Sequence, residues 1–238
     1  MSRTVREERR GNVPLFVHPE WEREFPWMVQ GVTGQEAGNF ASFGAQTAER
    51  VHAQWKSLRG QAGMVAGVLG RQVHGAVVLE HGPLSPGMLF ANDSDGQLTT
   101  SSNVLLGVTI ADCVPVLLLD PDNRTVAALH AGWRGTAANI LRNCVDIIGK
   151  NVRVHLGPSI CGDCYEVGPE VHVALGLAEP PENTPVDLRA VLRQQCSQLG
   201  IADDAVTTSA WCTRCGDSPF FSHRAGHPER QVAVIGMK

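Results

Sequence analysis

Two side chains with metal-binding chemistry, Cys113 and His130, bracket an apolar stretch, ADCVPVLLLDPDNRTVAALHAGWRGT (111–136). The strand-like runs VPVLLL and TVAALH flank D-P-D-N (120–123). Its proline presets φ and its Asp and Asn side chains bond nearby backbone, which is turn chemistry. A hairpin centred on that tetrapeptide places Cys113 opposite His130 at its open end, with Cβ atoms roughly 4.5–5.5 Å apart on one face. That spacing suits one chelated metal ion; a buried thiol beside a hydrogen-bonded histidine with no further role is the plain alternative. His74, in R-Q-V-H-G, also stands where a strand gives way to glycine. Two imidazoles and a thiolate form a borderline-soft set suited to zinc, with copper as competitor. Three protein ligands leave a fourth position open, as in catalytic zinc sites.

A-G-W-R-G-T (131–136) follows at once, with Gly132 and Gly135 bracketing Trp133 and Arg134 where a strand hands over to a helix. Free N–H groups at a helix start, with Arg134 as a forked donor, would favour a phosphate or carboxylate. A tight turn with a solvated arginine is the alternative, as packing is for Trp133. Two C-x-x-C pairs, Cys161/Cys164 and Cys212/Cys215, are either a four-cysteine structural zinc site or ordinary free thiols. Cys144 and Cys196 sit in helical patterns and read as core fillers. H-P-E occurs at 18–20 and 227–229, but neither copy is paired with the P-C-x-x-C that nucleobase deaminases require.

The elements that must position these residues are strands at 15–18, 27–32, 64–69, 76–80, 103–110, 152–156 and near the C-terminus, besides the two of the hairpin. Helices are expected at 46–58, 135–149 and 187–199, and long loops at 33–44 and 81–103. Strands interleaved with helices, several joined as hairpins, indicate an α/β (α+β) fold: one domain over 13–238 with a mixed sheet and flanking helices, after a loose segment at 1–12. The 238 residues are 43% hydrophobic and carry a net charge of −4, which gives no sign of a nucleic-acid or membrane-surface protein. Seven cysteines and a charged N-terminus without a signal-like apolar run point to the cytoplasm and away from a secreted disulfide framework. A homodimer is compatible with the sequence.

R-Q-V-H-G, T-I-A-D-C-V-P-V-L-L-L-D-P, H-A-G-W-R-G-T, L-G-P-S-I with C-Y-E-V-G, and F-F-S-H-R together resemble the bacterial laccase-domain proteins. These are also called the polyphenol oxidoreductase or peptidoglycan-editing-factor family, and the resemblance runs over roughly 27–236. It implies a single mixed α/β domain, His74, Cys113 and His130 as metal ligands, and purine nucleoside chemistry: phosphorolysis of adenosine, inosine, guanosine or methylthioadenosine, and deamination of adenosine. D-S-D-G (93–96) stands where the family has D-A-D-A, and N-F-A-S-F-G (39–44) where it has S-L-N-L-G. Both departures bear on substrate contacts rather than on the triad. Cys161 and Cys215 look like additions that complete the two C-x-x-C pairs.

A zinc-dependent purine nucleoside enzyme acting on nucleosides and phosphate is therefore the leading expectation. Zinc lowers the pKa of water for deamination, with Asp112 or Asp95 to move protons. Phosphorolysis needs an anion held by the helix start at 132–136 with Arg134; Gln72 would read a purine edge and Arg224 would hold phosphate or ribose. Copper-dependent phenol oxidation is disfavoured because none of the nine histidines forms the H-x-H pairs of multicopper oxidases. A metal-free hydrolase with Cys113 as nucleophile, His130 as base and Asp112 or Asp95 as orienter uses the same residues. A non-enzymatic binding or editing role in cell-wall synthesis stays open.

Overall fold

The computed structural model describes residues 3–41 and 47–238. Seven strands form one mixed sheet in the order Arg3–Val5, Val206–Ser209, Arg153–Leu156, Val114–Asp120, Thr125–Ala131, Gly96–Thr99, Val78–His81. Seven more form a second, in the order Glu8–Arg10, Leu15–Val17, Met28–Thr33, Gln231–Met237, Val104–Ile110, Ala66–Arg71, Gly87–Asp93. Leu117, Leu119, Val126 and Ala128 of the first sheet pack on Leu106, Val108, Ala233 and Ile235 of the second. The outer face of the first sheet is covered by helices Ile140–Ile148 and Leu188–Gln198, through Leu141, Cys144, Leu192 and Cys196. Helix Ala48–Ala62 covers the second through Trp55 and Leu58. The class is the mixed α/β single domain expected, but with two sheets where one was read. Strands such as VPVLLLD are buried along their whole length because each face has a cover, so no alternation betrays a second layer. Among the described residues no helix is long and apolar enough to cross a membrane.

The chain passes from the second sheet to the first at three neighbouring points: between Arg71 and Val78, between Asp93 and Gly96, and between Ile110 and Val114. Arg71 pairs with Asp93 and Val78 with Gly96, which sets the first two crossings side by side. The third abuts the first through the Gln72 amide, which donates to the Thr109 carbonyl (2.7 Å) and accepts from the Thr109 N–H (2.8 Å). Turning so sharply forces left-handed backbone on two non-glycine residues, His74 (φ 59°) and Asp112 (φ 86°).

Several sequence expectations shift in register or extent. The hairpin pairs Asp120 with Thr125 and Pro115 with His130, so Cys113 lies beside Gly132 instead of opposite His130. Its loop is 121–124, closed by Asp120 Oδ1 accepting from the N–H groups of Asp122 and Asn123 (both 3.0 Å) and by left-handed Arg124. The displacement amounts to two residues, so both side chains keep the same face. The expected loop at 81–103 contains strands Gly87–Asp93 and Gly96–Thr99. The expected helix at 135–149 is two, Trp133–Ala137 and Ile140–Ile148, separated by left-handed Asn139. The expected helix at 46–58 runs from Ala48 to Ala62; residue 46 and positions 42–44 of the N-F-A-S-F-G stretch lie outside the described residues. Short helices at Pro19–Glu24 and Pro169–Ala174 went unread.

Within the segment expected to be loose, the described residues from Arg3 to Arg10 pair with both sheets. Arg3–Val5 adds a parallel strand to one sheet and Glu8–Arg10 an antiparallel strand to the other. Between them, buried Glu7 accepts hydrogen bonds from His155 Nε2 (2.8 Å) and Ser209 Oγ (2.9 Å). Beside this group His18, fully buried, caps helix Pro19–Glu24 by accepting from the Trp21 N–H, while its Nε2 meets Thr207 Oγ1 (3.2 Å). Burial, then the charges of His155 and Arg3, push His18 down to about 3 from 6.5. Unfolded His18 takes a proton below about 6.5 while the folded residue stays neutral, so its contribution to stability is present above that pH and is lost on acidification towards 3. Denaturant unfolding between pH 6.5 and 5 should give a slope steeper for the native sequence than for His18→Asn, which keeps a capping acceptor. The difference should approach about 1.4 kcal/mol per pH unit; parallel slopes would show that His18 does not titrate this way.

Candidate metal centre

The first two crossings and the end of strand Thr125–Ala131 converge on one carboxylate. Asp95 is completely buried; Oδ1 accepts from the His74 N–H (3.0 Å) and from His130 Nδ1 (2.7 Å). Oδ2 accepts from the N–H groups of Val73 (3.1 Å) and Gly75 (2.7 Å). These bonds hold the left-handed turn at His74 and keep a proton on His130 Nδ1, with Nε2 turned away from Asp95. The ligand atoms of His74, Cys113 and His130 all lie within 4.8 Å of one another, with His130 buried, Cys113 half-buried and His74 exposed. A carboxylate behind a ligating histidine is the usual support of a metal site. Gly132 completes the fit: a Cβ there would lie 3.0 Å from the Cys113 sulfur and 3.3 Å from the His74 ring.

The electrostatics suit a thiolate. Burial by itself raises Cys113, but the charge and hydrogen bond of His130, then those of His74, outweigh it and bring the thiol down to about 6. For His130 burial pulls downward and is overcome by the Cys113 charge and the Asp95 hydrogen bond, which raise it to about 9. Metal ligation requires deprotonated sulfur, so a thiol ionised at neutral pH is ready for it.

A cavity of about 430 Å³ opens over the triad. It is lined by Asp112, Arg134 and Arg224, which the sequence reading named, and also by Thr109, Tyr165, His223 and Arg230, which it did not. Tyr165 is the only tyrosine of the chain, and its C-Y-E-V-G setting was a usable signal. Arg134 lies over the Trp133 ring (4.3 Å to the centroid), and Arg224 over Tyr165 (5.1 Å) while donating to the Glu166 carbonyl (2.8 Å). Asp112 braces the rim: Oδ1 accepts from the Thr213 hydroxyl (2.6 Å) and Oδ2 from the Arg224 N–H (2.7 Å).

Three expectations are corrected. Asp95 cannot contact phosphate or substrate, being sealed from the cavity with both oxygens taken. Gln72 faces the cavity but uses its carbonyl oxygen on the Thr109 N–H and hydroxyl (both 2.8 Å) and one amide hydrogen on the Thr109 carbonyl. One N–H remains, too little to read a purine edge in pairs. Gly135 does not reach the cavity; it lets the His74 turn approach, since a Cβ there would fall 2.7 Å from the Gly75 carbonyl oxygen. The helix at Trp133–Ala137 is a single turn, so an anion there would rest on the arginines.

The two C-x-x-C pairs also meet: the sulfurs of Cys161, Cys164, Cys212 and Cys215 lie within 4.8 Å of one another. Neither H-P-E reaches the triad. His18 caps a helix, and His227 Nδ1 accepts from the Ser222 N–H (3.0 Å).

The profile of one family, described as multi-copper polyphenol oxidoreductase laccase, matches residues 31–238. The chain belongs to that family. Adenosine deaminase RL5, from an unknown prokaryotic organism, is 35% identical over 147 residues, 55% of this chain and 56% of that protein. Purine nucleoside phosphorylase of Deinococcus radiodurans is 35% identical over 181 residues, 70% of this chain and 68% of that protein. The chain thus matches little more than half to two thirds of these relatives' length. YlmD from Geobacillus stearothermophilus superposes with a TM-score of 0.86 at 25% identity over 99% of both chains.

Among the described residues no further set of donors gathers around the triad. Of the nine histidines, His18, His81, His155 and His172 are buried in hydrogen bonds with Thr207, Gln97, Glu7 and the Thr184 carbonyl. Among the described residues only two groups of three or more His, Cys or acidic donors converge: the triad and the four cysteines.

Two measurements follow. Replacing Asp95 by Asn should weaken metal binding at the triad by about 10–100-fold in competition with a chromophoric chelator; unchanged affinity would remove Asp95 from its supporting role. In metal-stripped protein, alkylation of Cys113 followed by peptide mass should rise with pH around a midpoint near 6. In the Asp95→Asn variant the midpoint should move up, because a less basic His130 no longer favours the thiolate. A midpoint at an ordinary thiol value in the native sequence would contradict the pairing.

Proposed function

We propose that this cavity processes purine nucleosides, by phosphorolysis with inorganic phosphate and by hydrolytic deamination of adenosine, with zinc at His74, Cys113 and His130. The observation that carries this reading is a cavity of nucleoside size with two imidazoles and a thiolate at its base and Arg134, Arg224 and Arg230 on its wall. Relatives named adenosine deaminase and purine nucleoside phosphorylase support the same choice of substrate. Zinc in such a donor set supplies Lewis acidity and makes water a nucleophile near neutral pH.

The chain's own residues do the rest. Trp133 and Tyr165, each with an arginine over its ring, offer walls for a flat base. Arg134 presents its guanidinium to phosphate as a forked donor. In phosphorolysis a phosphate oxygen forms the new bond to C1′ as the N-glycosidic bond breaks, giving the free base and ribose 1-phosphate. In deamination water adds at the purine carbon bearing the amino group and ammonia leaves, giving inosine. Among the described residues Asp112 is the only carboxylate lining the cavity; each of its oxygens accepts one hydrogen bond and keeps a second lone pair, which takes the proton that water loses and returns it to the departing amino group. The His130 ring stays fixed throughout, held from behind by Asp95.

One observation favours a second reading, a metal-free cysteine hydrolase: Cys113 near 6 and His130 near 9 form a thiolate–imidazolium pair oriented by a carboxylate. Metal separates the two, because a ligated thiolate resists alkylation while a nucleophilic one loses activity to it.

Zinc-replete protein incubated with adenosine should yield adenine and ribose 1-phosphate only when phosphate is present, and inosine without it. Arg134→Ala should lower kcat/KM for phosphate by about tenfold while leaving deamination near its original rate. Absence of all these products from replete protein would overturn the reading.

A further inference from the structure

We propose that Cys161, Cys164, Cys212 and Cys215 hold a second zinc ion, a structural clasp that fixes the outer wall of the cavity. Strands Arg153–Leu156 and Val206–Ser209 run parallel side by side, so the chain leaves them along neighbouring paths. The pairing continues past the sheet edge: Ser159 bridges Cys212, and the Thr213 N–H donates to the Ser159 carbonyl (3.0 Å). One C-x-x-C lies on each path, and the four sulfurs gather within 4.8 Å.

The distances fit a tetrahedral thiolate site. Zinc–sulfur bonds of about 2.3 Å at tetrahedral angles place sulfurs about 3.8 Å apart, and Cys161 and Cys215 stand at 3.9 Å. That separation is far beyond a disulfide bond of about 2.05 Å, and all four are free cysteines. The backbone is arranged for an anionic sulfur: Cys212 Sγ accepts from the N–H groups of Cys161 (3.3 Å), Arg214 (3.3 Å) and Cys215 (3.5 Å). Arg214 reaches across and donates to the Cys164 carbonyl (3.0 Å), so its positive charge crosses from one path to the other. Four sulfur donors leave no open position, which makes the site structural rather than catalytic. Zinc is chosen over iron, the other metal for such a set, because a redox-inert ion holds the loops alike in any redox state.

What the clasp would hold is the far side of the cavity. Tyr165 follows Cys164 directly, and Ile160 precedes Cys161. On the other path Thr213 bonds Asp112, and His223 and Arg224 lie further on. The clasp therefore serves whatever chemistry the cavity performs, and its test is independent of nucleoside turnover.

The experiment is a zinc count and a cobalt spectrum on three forms of the full chain purified under reducing conditions. The native sequence should carry two zinc ions, Cys161→Ser/Cys215→Ser one, and His74→Ala/Cys113→Ala one. After exchange with cobalt, the His74→Ala/Cys113→Ala form should keep intense sulfur-to-cobalt charge-transfer bands. Because those bands come from the intact clasp, they decide the matter even if the Cys161→Ser/Cys215→Ser form fails to fold. No metal in the His74→Ala/Cys113→Ala form, iron in place of zinc, or recovery of the four thiols as disulfides would each overturn the proposal.

Discussion

The carboxylate of Asp95 lies out of reach of water and accepts four N–H groups, from Val73, His74, Gly75 and His130. Burying a charge without partners is strongly unfavourable, and removing one partner from a satisfied set strands the rest. The arrangement therefore stands or falls as a unit. It ties the first crossing between the sheets, which carries His74, to the second, which carries Asp95 itself. It also ties both to strand Thr125–Ala131 through His130. The third crossing brings Cys113 alongside, anchored by the pairing of Thr109 with Gln72. Burial opposes the ionised form of Asp95, but the bond to His130 and those from Gly75 and Val73 outweigh it and hold the carboxyl below its ordinary value.

Placing a site where the chain changes sheets has a physical reason. Each crossing is two to six residues long, so it must turn sharply, and His74 and Asp112 adopt backbone that other side chains avoid. Such residues persist only where the surroundings over-determine them. At His74 the restraint is Asp95. At Asp112 it is the residue's own side chain, which bonds Thr213 and Arg224, together with its carbonyl accepting from the Ile160 N–H (3.0 Å). The turns that strain the backbone also hold His74 and Cys113 between the ends of two rigid sheets, beside His130 at the end of its strand.

This logic explains what the sequence could disclose. His74, Cys113 and His130 each stand at the end of an apolar run beside small residues, a local pattern. Misplacing the hairpin centre by one residue moved Cys113 two positions from its partner yet left both side chains on the shared face, because strands alternate with a period of two. The wall residues carry no such pattern. Arg230 comes from just before the last strand and Tyr165 from a loop after Arg153–Leu156, so only folding makes them neighbours. The strands within 81–103 were hidden because buried Gln97 and Thr99 look like loop residues; they are satisfied by His81, through its Nε2 (2.6 Å) and its carbonyl (2.6 Å). The second sheet was hidden by the first one's full burial. Of the two roles the sequence offers Asp95, an acid facing substrate or an orienter of His130, its burial leaves the second.

The net charge of −4 says nothing about the cavity, where the distribution is the reverse. Arg134, Arg224 and Arg230 line it against Asp112 and the thiolate of Cys113, and the half-buried guanidinium of Arg230 feels both anions. Without a cation at the triad, an arriving anion meets a wall whose positive charge is offset in part by Asp112 and by the thiolate, itself shared with protonated His130. With a divalent cation bound there, the thiolate's part of that offset is lifted, and the arginines act on the anion more fully. An anion in the cavity and a metal at its base therefore favour each other, and by linkage the preference is equal in both directions. The same coupling reaches Asp95, since any charge that stabilises the Cys113–metal pair relieves His130 of the need to be protonated.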